Sequence, residues 1–422
     1  MAAIWAGRTA QKVARPLRIR VLDGAVKLGA KILVSGGGRC NVTHERVSET
    51  AYSGSTPPAI RNVLRRFDVP QTIEFFEEMG VRLKREETGK LFPVSDRART
   101  VLDALLQAAR EAGVVLQHPA RVEHVQRMES LEHQPHPAYL LSGTFGTVSA
   151  RRVILATGGR SLPKTGSDGA GYAITRSLGH STTSHIFPAL VPLVLDSSCF
   201  IRELSGLTIP ATLELRLASG KRLIAFTDST LCTHFGLSGP GVLDISRHYL
   251  SARLRADDVA LFINWLPGES PQSLDQALIE FARRQGSAGV VRFFADRLPQ
   301  RLAKALCKAA GVDPSLAAHS VSREQRRSLV TAATNLKLPV TGDRGFAVAE
   351  VTAGGIPLKQ VRLETMESRM SSGLHLCGEI CDVDGRIGGY NFQWAWSSGF
   401  VAGTSAAMAI LGDVAGREVD GN

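Results

Sequence analysis

Residues 373–411, GLHLCGEICDVDGRIGGYNFQWAWSSGFVAGTSAAMAIL, constrain the fold of this chain more than any other stretch. GLHLCGE reads as a buried strand ending in Glu379, followed by a loop carrying Asp382, Asp384, Gly388 and Gly389, and then by an apolar helix from about Phe392. A helix that opens straight after two glycines turns its first N–H groups and the positive end of its dipole toward an anion. The competing reading is a plain strand–loop–helix connection whose glycines serve packing.

Two further stretches share this grammar. VILATGG (153–159) is a strand dropping into a threonine and double-glycine turn, and LVSGGGRCNVT (33–43) is a permissive loop bordered by Ser35, Arg39 and Asn41. Near the N-terminus, residues 2–14 read as a helix and LRIRVLDG (17–24) as a strand that ends in Asp23. A helix leading into a strand that ends in an acid is the second half of a nucleotide-binding βαβ unit, in which the acid takes the ribose hydroxyls about 20 residues after a glycine fingerprint. Counting back from Asp23 places that fingerprint at or before residue 1, and Gly7 is the only glycine in residues 1–22. The expectation is a sequence lacking the first strand and its GxGxxG, with a start codon placed too late.

Along the rest of the chain, PAIRNVLRRFDVPQTIEFFEEMGV and RARTVLDALLQAAREAGV have helical apolar spacing, and GKLFPVSD between them reads as a glycine and proline turn. A strand meander follows, from GVVLQHPARVEHVQRM to Val153–Ala156. The texture changes at FPALVPLVL. This divides the chain into a first segment, 1–188, an insert, 189–342, and a second segment, 343–422. Within the insert, 189–266 reads as short strands and 267–342 as helices.

Composition narrows the class. With 44% hydrophobic and 21% charged residues the chain is an ordinary folded one, long enough for two or three domains. No run of 18 apolar residues suggests a membrane span, and the basic, acid-free residues 1–22 lack the apolar centre of a secretory signal, so a cytoplasmic location is expected. Six cysteines without a CxxC pair suit reduced thiols, and no metal site is assigned. The net charge of +11 is read as dispersed from Arg8 to Arg417, which with no reading motif argues against a nucleic-acid partner.

Taken together, LGAKILVSGGGRCNVT, LFPVSDRA, VILATGG, LCTHFGLSGP, AEVTAGGIPL, TMESR and LCGEICDVDGRIGGYNFQWAWSSG resemble the BaiN/YhiN-type flavoproteins, from Met1 to about residue 412. The resemblance implies an α/β fold: a Rossmann-like, two-dinucleotide-binding FAD domain interrupted by a β-barrel-like and helical insert. It implies FAD as cofactor and NAD(P)H as electron donor. Asp23 would sit on the adenosine ribose and the backbone near Val122 beside the adenine. Ser35, Gly36, Gly37, Gly38, Arg39, Cys40 and Asn41 would line the FAD between pyrophosphate and flavin, with Arg39 as charge partner. Thr157, Gly158 and Gly159 would form the second nucleotide turn. Glu379 would lie on the ribitol or pyrophosphate side, and Gly388, Gly389, Tyr390 and Asn391 would face the isoalloxazine.

The implied reaction is NAD(P)H-driven reduction of an electron-poor double bond in a small organic substrate, such as an enone. Tyr390 and His234 are the candidates for the proton, against the alternative that one is a packed tyrosine and the other a structural histidine. An RNA-associated flavoprotein and an inactive remnant are the rival readings.

Overall fold

The computed structural model describes residues 1–128 and 138–420. The chain divides into two compact units, Met1–Pro188 with Glu350–Asn422, and Ala189–Ala349.

The first unit opens with helix α1 (Ala2–Lys12), strand β1 (Ile19–Leu22), helix α2 (Ala30–Gly38) and strands β2 (Thr43–His44) and β3 (Tyr52–Gly54). Helices α3 (Pro57–Leu64) and α4 (Val69–Glu78) come next, where the apolar spacing suggests one continuous helix. Asp68 makes the break: its side chain caps Gln71 N–H in a capping box, and Pro70 fits only a first turn. The stretch expected to be a turn is instead strand β5 (Lys90–Pro93), paired antiparallel with β4 (Leu83–Arg85). The reversal falls earlier, where Gly89, at φ +80°, donates to Glu86 O.

Helix α5 (Ala98–Glu111) leads to β6 (Val114–Gln117), which pairs parallel with β1. Strands β7 (Val122–Met128), β8 (Ala138–Gly143) and β9 (Gly146–Ala150) form the meander, and β10 (Val153–Leu155), α6 (Ala170–Ser177) and β11 (Phe187–Ala189) close the segment.

In the second unit, seven strands form one sheet: β12 (Leu193–Leu195), β13 (Thr208–Leu217), β14 (Arg222–Thr233), β15 (Gly236–Ser238), β16 (Val259–Asn264), β17 (Leu336–Lys337) and β18 (Val340–Asp343). Their order is β17-β16-β13-β14-β15-β12-β18, an open sheet and not a closed barrel. The segment 336–343 pairs first with β16 and, past Pro339, with β12, so proline interrupts the ladder where one strand changes partner. Helix α7 (Pro240–Leu254) lies inside the block expected to be strands alone. Helices α8 (Pro271–Arg284), α9 (Val290–Ala295), α10 (Gln300–Ala309) and α11 (Arg323–Thr334) complete the unit, with Pro299 splitting what reads as a single helix into α9 and α10.

The chain then returns through β19 (Val351–Ala353), β20 (Val361–Arg362), β21 (Glu367–Ser368), β22 (Leu374–Leu376), β23 (Val383–Gly385) and helix α12 (Tyr390–Asp420). Strand β22 pairs parallel with β10 in the sheet β10-β22-β21-β20, so residues from opposite ends of the sequence share one sheet. Strands β1 and β10 are each the outer strand of their own sheet among the described residues.

Candidate functional site

The first cluster forms where β1 ends. Asp23 N–H donates to Gln117 O, the last residue of β6, and Asp23 O accepts from Ala120 N–H at 2.7 Å. These bonds hold the acid close to the start of β7, where Val122 lies. One carboxylate oxygen, Oδ1, accepts from Ala25 N–H at 2.8 Å, which orients the side chain at the strand's end.

Next along the chain, the SGGG segment is more helical than the expected open loop. It closes α2 with a break at Ser35, followed by Gly36, Gly37 and Gly38 at φ +55°, +68° and +85°. Only glycine takes three such values in succession without strain. A side chain at Gly36 would strike the Phe92 ring at 2.9 Å, whereas one at Gly37 would meet nothing within 4 Å. That side of the Gly37 backbone is open. Helix α2 is rich in apolar residues, yet none of them is buried.

Two residues of this segment differ from expectation. The Arg39 guanidinium lies over the Phe92 ring at 4.1 Å and bonds Glu86 at 2.5 Å, so its charge is already matched by a carboxylate. Cys40 also has positive φ, +63°, and is fully buried, with burial pushing its thiol up to about 11. It is a packed thiol and not a nucleophile at neutral pH. Its neighbour Asn41 holds a buried Oδ1 with no hydrogen-bond partner.

A second cluster joins three distant segments. Strand β22 ends at Leu376, three residues before the expected Glu379, which lies in a short 3-10 turn, Gly378–Ile380. From there Glu379 Oε1 accepts from Thr352 N–H at 2.7 Å while Oε2 takes Lys31 Nζ at 2.6 Å. Thr352 Oγ1 in turn accepts from the N–H groups of Arg160 and Ser161 at 2.7 and 3.0 Å, just past the Thr157-Gly158-Gly159 turn. A side chain at Gly159 would collide with Thr352 Oγ1 at 2.4 Å. Beside this turn the hydroxyls of Thr157, Ser167 and Tyr172 are buried without partners. Burial first, then the Glu379 charge, holds the Tyr172 phenol well above its usual range.

The third cluster is the start of α12. Gly388 and Gly389 stand at φ +122° and +96°, and a side chain at Gly389 would meet the Thr43 backbone at 2.5 Å. Below it, Gln393 Oε1 accepts from the hydroxyls of Thr43 and Thr72, and its Nε2 donates to Phe67 O. The Tyr390 ring stacks on His44 at 5.0 Å, and Tyr52 OH donates to Tyr390 O at 2.7 Å. Asn391 turns inward, its amide exchanging bonds with Gly385 N–H and O, so it shapes the loop and not a ligand surface.

An FAD-type group fits these three clusters. Orphaned polar atoms at Asn41, Thr157 and Ser167, an open glycine backbone at Gly37, and a helix start seated on β2 offer acceptors, close approach and positive dipole to a long polar ligand. His234, by contrast, belongs to the second unit, between β14 and β15, edge-on to Phe235. Sequence reading passes over Lys31, Thr352, Gln393 and His44. The only signal for the first was a lysine inside an apolar run.

A family model described as HI0933-like protein Rossmann domain matches residues 1–405. This chain belongs to that family. The HI0933-like family is one of FAD-dependent oxidoreductases, and its relatives include the 3-dehydro-bile acid delta(4,6)-reductase of Clostridium scindens, 32% identical over 391 residues, 92% of this chain and 93% of that protein. A ribosomal RNA dihydrouridine synthase of Escherichia coli is 30% identical over 386 residues, 90% of each chain. Among solved structures, the open conformation of a flavocytochrome c3 fumarate reductase aligns at 15% identity and a TM-score of 0.42, covering 96% of this chain and 76% of that one. As a member of the HI0933-like family the chain is a mixed α/β flavoprotein oxidoreductase, and among its described residues no helix is long and apolar enough to cross a membrane.

Proposed function

We propose that this chain reduces a carbon–carbon double bond conjugated to a carbonyl, with FAD as cofactor and NAD(P)H as donor. The reading is carried by the Lys31–Glu379–Thr352 arrangement, which ties α2, the segment just past the 157–159 turn and the C-terminal segment together. The names of the two relatives support it, since both describe saturation of such a bond: the 4,6-diene of a 3-oxo bile acid, and the uracil ring that becomes dihydrouridine. FAD, when bound, supplies the hydride chemistry.

The protein's part is positioning and charge. Asp23 accepts the ribose hydroxyls, and Gly36–Gly38 with Asn41 admit the chain of the cofactor against bare backbone. Glu379, held by Thr352 and Lys31, accepts from a ligand hydroxyl on the ribitol side. The N–H groups that open α12 would stabilise negative charge on the bound ring. Hydride addition to the β-carbon leaves an enolate, and Tyr390 OH is assigned to deliver the proton to the α-carbon.

A second reading of the substrate class has its own support. The charge is less dispersed than its spread from Arg8 to Arg417 suggests: residues 283–337 hold eleven lysines and arginines against three acids, +8 of the chain's +11. This concentration favours RNA over a small organic substrate.

The experiment is an anaerobic titration of the flavin-loaded protein with NADH and NADPH, followed by a conjugated enone and, separately, ribosomal RNA. Bleaching of the flavin band, recovery on substrate addition and a product heavier by two hydrogens are expected. A flavin that stays oxidised with both nicotinamides would sink the reading.

A further inference from the structure

Helix α10 buries Leu302, Ala303, Leu306 and Cys307 completely, so its opposite face is fixed toward solvent. That face carries Arg301, Lys304 and Lys308 at helical spacing, all exposed. Immediately before it, Arg292 on α9 and Arg297 in the connection are exposed too. Arg297 is held in place, its guanidinium over the Phe293 ring at 4.1 Å and donating to Phe293 O at 2.9 Å. Arg301 is held likewise by a 3.0 Å bond to Glu203 O.

Among the described residues, only Arg326 of the eleven bases in 283–337 is in an ion pair, with Asp275. Unmatched like charges on neighbouring turns repel one another, a cost that an anionic partner removes.

We propose that the outward face of α10, with Arg292 and Arg297 beside it, is the surface on which this protein docks the phosphate backbone of RNA. The proposal rests on the RNA reading of the substrate given above. The chemistry of the face selects this partner. None of the exposed large hydrophobic residues falls in 283–337. A protein partner would use aromatic or aliphatic anchors, and a membrane surface would take an apolar helix face, and this region offers neither. Rows of guanidinium and ammonium groups without apolar neighbours suit phosphates and carry no base readout.

The test compares three proteins by filter binding to transcribed ribosomal RNA across a salt series: wild type, the triple variant Arg301→Gln, Lys304→Gln, Lys308→Gln, and a charge-matched control in the first unit, Arg66→Gln, Arg99→Gln, Arg110→Gln. Loss of three phosphate contacts lowers the slope of log affinity against log salt by about 2 to 3 and weakens binding at physiological salt by about tenfold or more. The control keeps the wild-type slope. In the wild type, RNA also shields Lys304 and Lys308 from acylation, a readout independent of any variant's folding.

Equal binding by all three proteins overturns the α10 surface while leaving the RNA reading intact. A wild type that reduces a conjugated enone yet binds no RNA overturns the RNA reading itself. Binding to phosphatidylglycerol vesicles as tight as to RNA, lost in the triple variant, overturns the choice of partner.

Discussion

The backbone N–H of Thr352 and one carboxylate oxygen of Glu379 lie 2.7 Å apart, and this bond fixes the acid while its other oxygen takes Lys31. Glu379→Gln keeps the shape and removes the charge. Because both side chains are partly exposed, at 30% and 18%, solvent screening keeps the stability change to about 1 kcal/mol. Flavin affinity falls by about tenfold, the equivalent of one charge-assisted hydrogen bond. Thermal unfolding together with a fluorescence titration of FAD separates the two effects, and an unchanged FAD affinity would remove Glu379 from the site.

Gly389→Ala places a methyl against the Thr43 backbone at a φ of +96°. Strain and overlap together destabilise the protein by about 2–4 kcal/mol. Gly412→Ala, where no atom lies within 4 Å, is the contrast: it stabilises by about 0.5–1 kcal/mol through helix propensity. Denaturant midpoints of the two variants check the difference in sign.

Removing the Gln393 amide takes the partner of the buried Thr43 hydroxyl, while Thr72 keeps its bond to Asp68 O and the Phe67 carbonyl keeps Ser397 Oγ. Gln393→Leu accordingly costs about 1–3 kcal/mol, the desolvation penalty of one unsatisfied buried group. A variant as stable as wild type would show that β2 and α12 do not depend on this link.

Acid sensitivity should come from two buried imidazoles. Burial lowers the pKa of His375 and of His180 below the ordinary 6.5, with lesser opposing contributions from Thr365 O and from Gln360. Below pH 6.5 the unfolded chain therefore binds more protons than the folded one. The stability these groups contribute is fully present above about pH 6.5 and is lost as pH falls through the depressed folded values. His375→Gln should flatten part of that slope in urea midpoints measured between neutral and acid pH.

All six cysteines are free, and only Cys199 is not buried. A native thiol titration should report reaction at Cys199 alone, with Cys40 protected until the protein unfolds. Fast labelling of Cys40 would overturn its assignment as a packed, buried thiol.

Local signals made much of the fold readable. Helices α5, α8 and α11 show one apolar stripe each, and the capping boxes of Ser270 and Ser322 mark two of their starts. Helix α7 escaped because Asp244 and Ser246 are buried along with Val242, Leu243 and Ile245, which leaves no polar face to reveal a helical period. The α/β flavoprotein class was legible through the family resemblance that the glycine turns and their flanking motifs carry, whereas the open sheet of the second unit depends on where Pro339 interrupts pairing. Lys31 and Thr352 could not be found locally, because the groups that define them lie 348 and 27 residues away along the chain.

The basic residues of α10 stand outside the packed interior, where exchanging a side chain changes stability by only about 0.5 kcal/mol. Evolution can therefore rewrite the address of this oxidoreductase almost freely while its chemistry stays in place. On the docking proposal above, a lineage that trades lysine and arginine for neutral residues there gives up its polyanionic target and keeps the same redox fold.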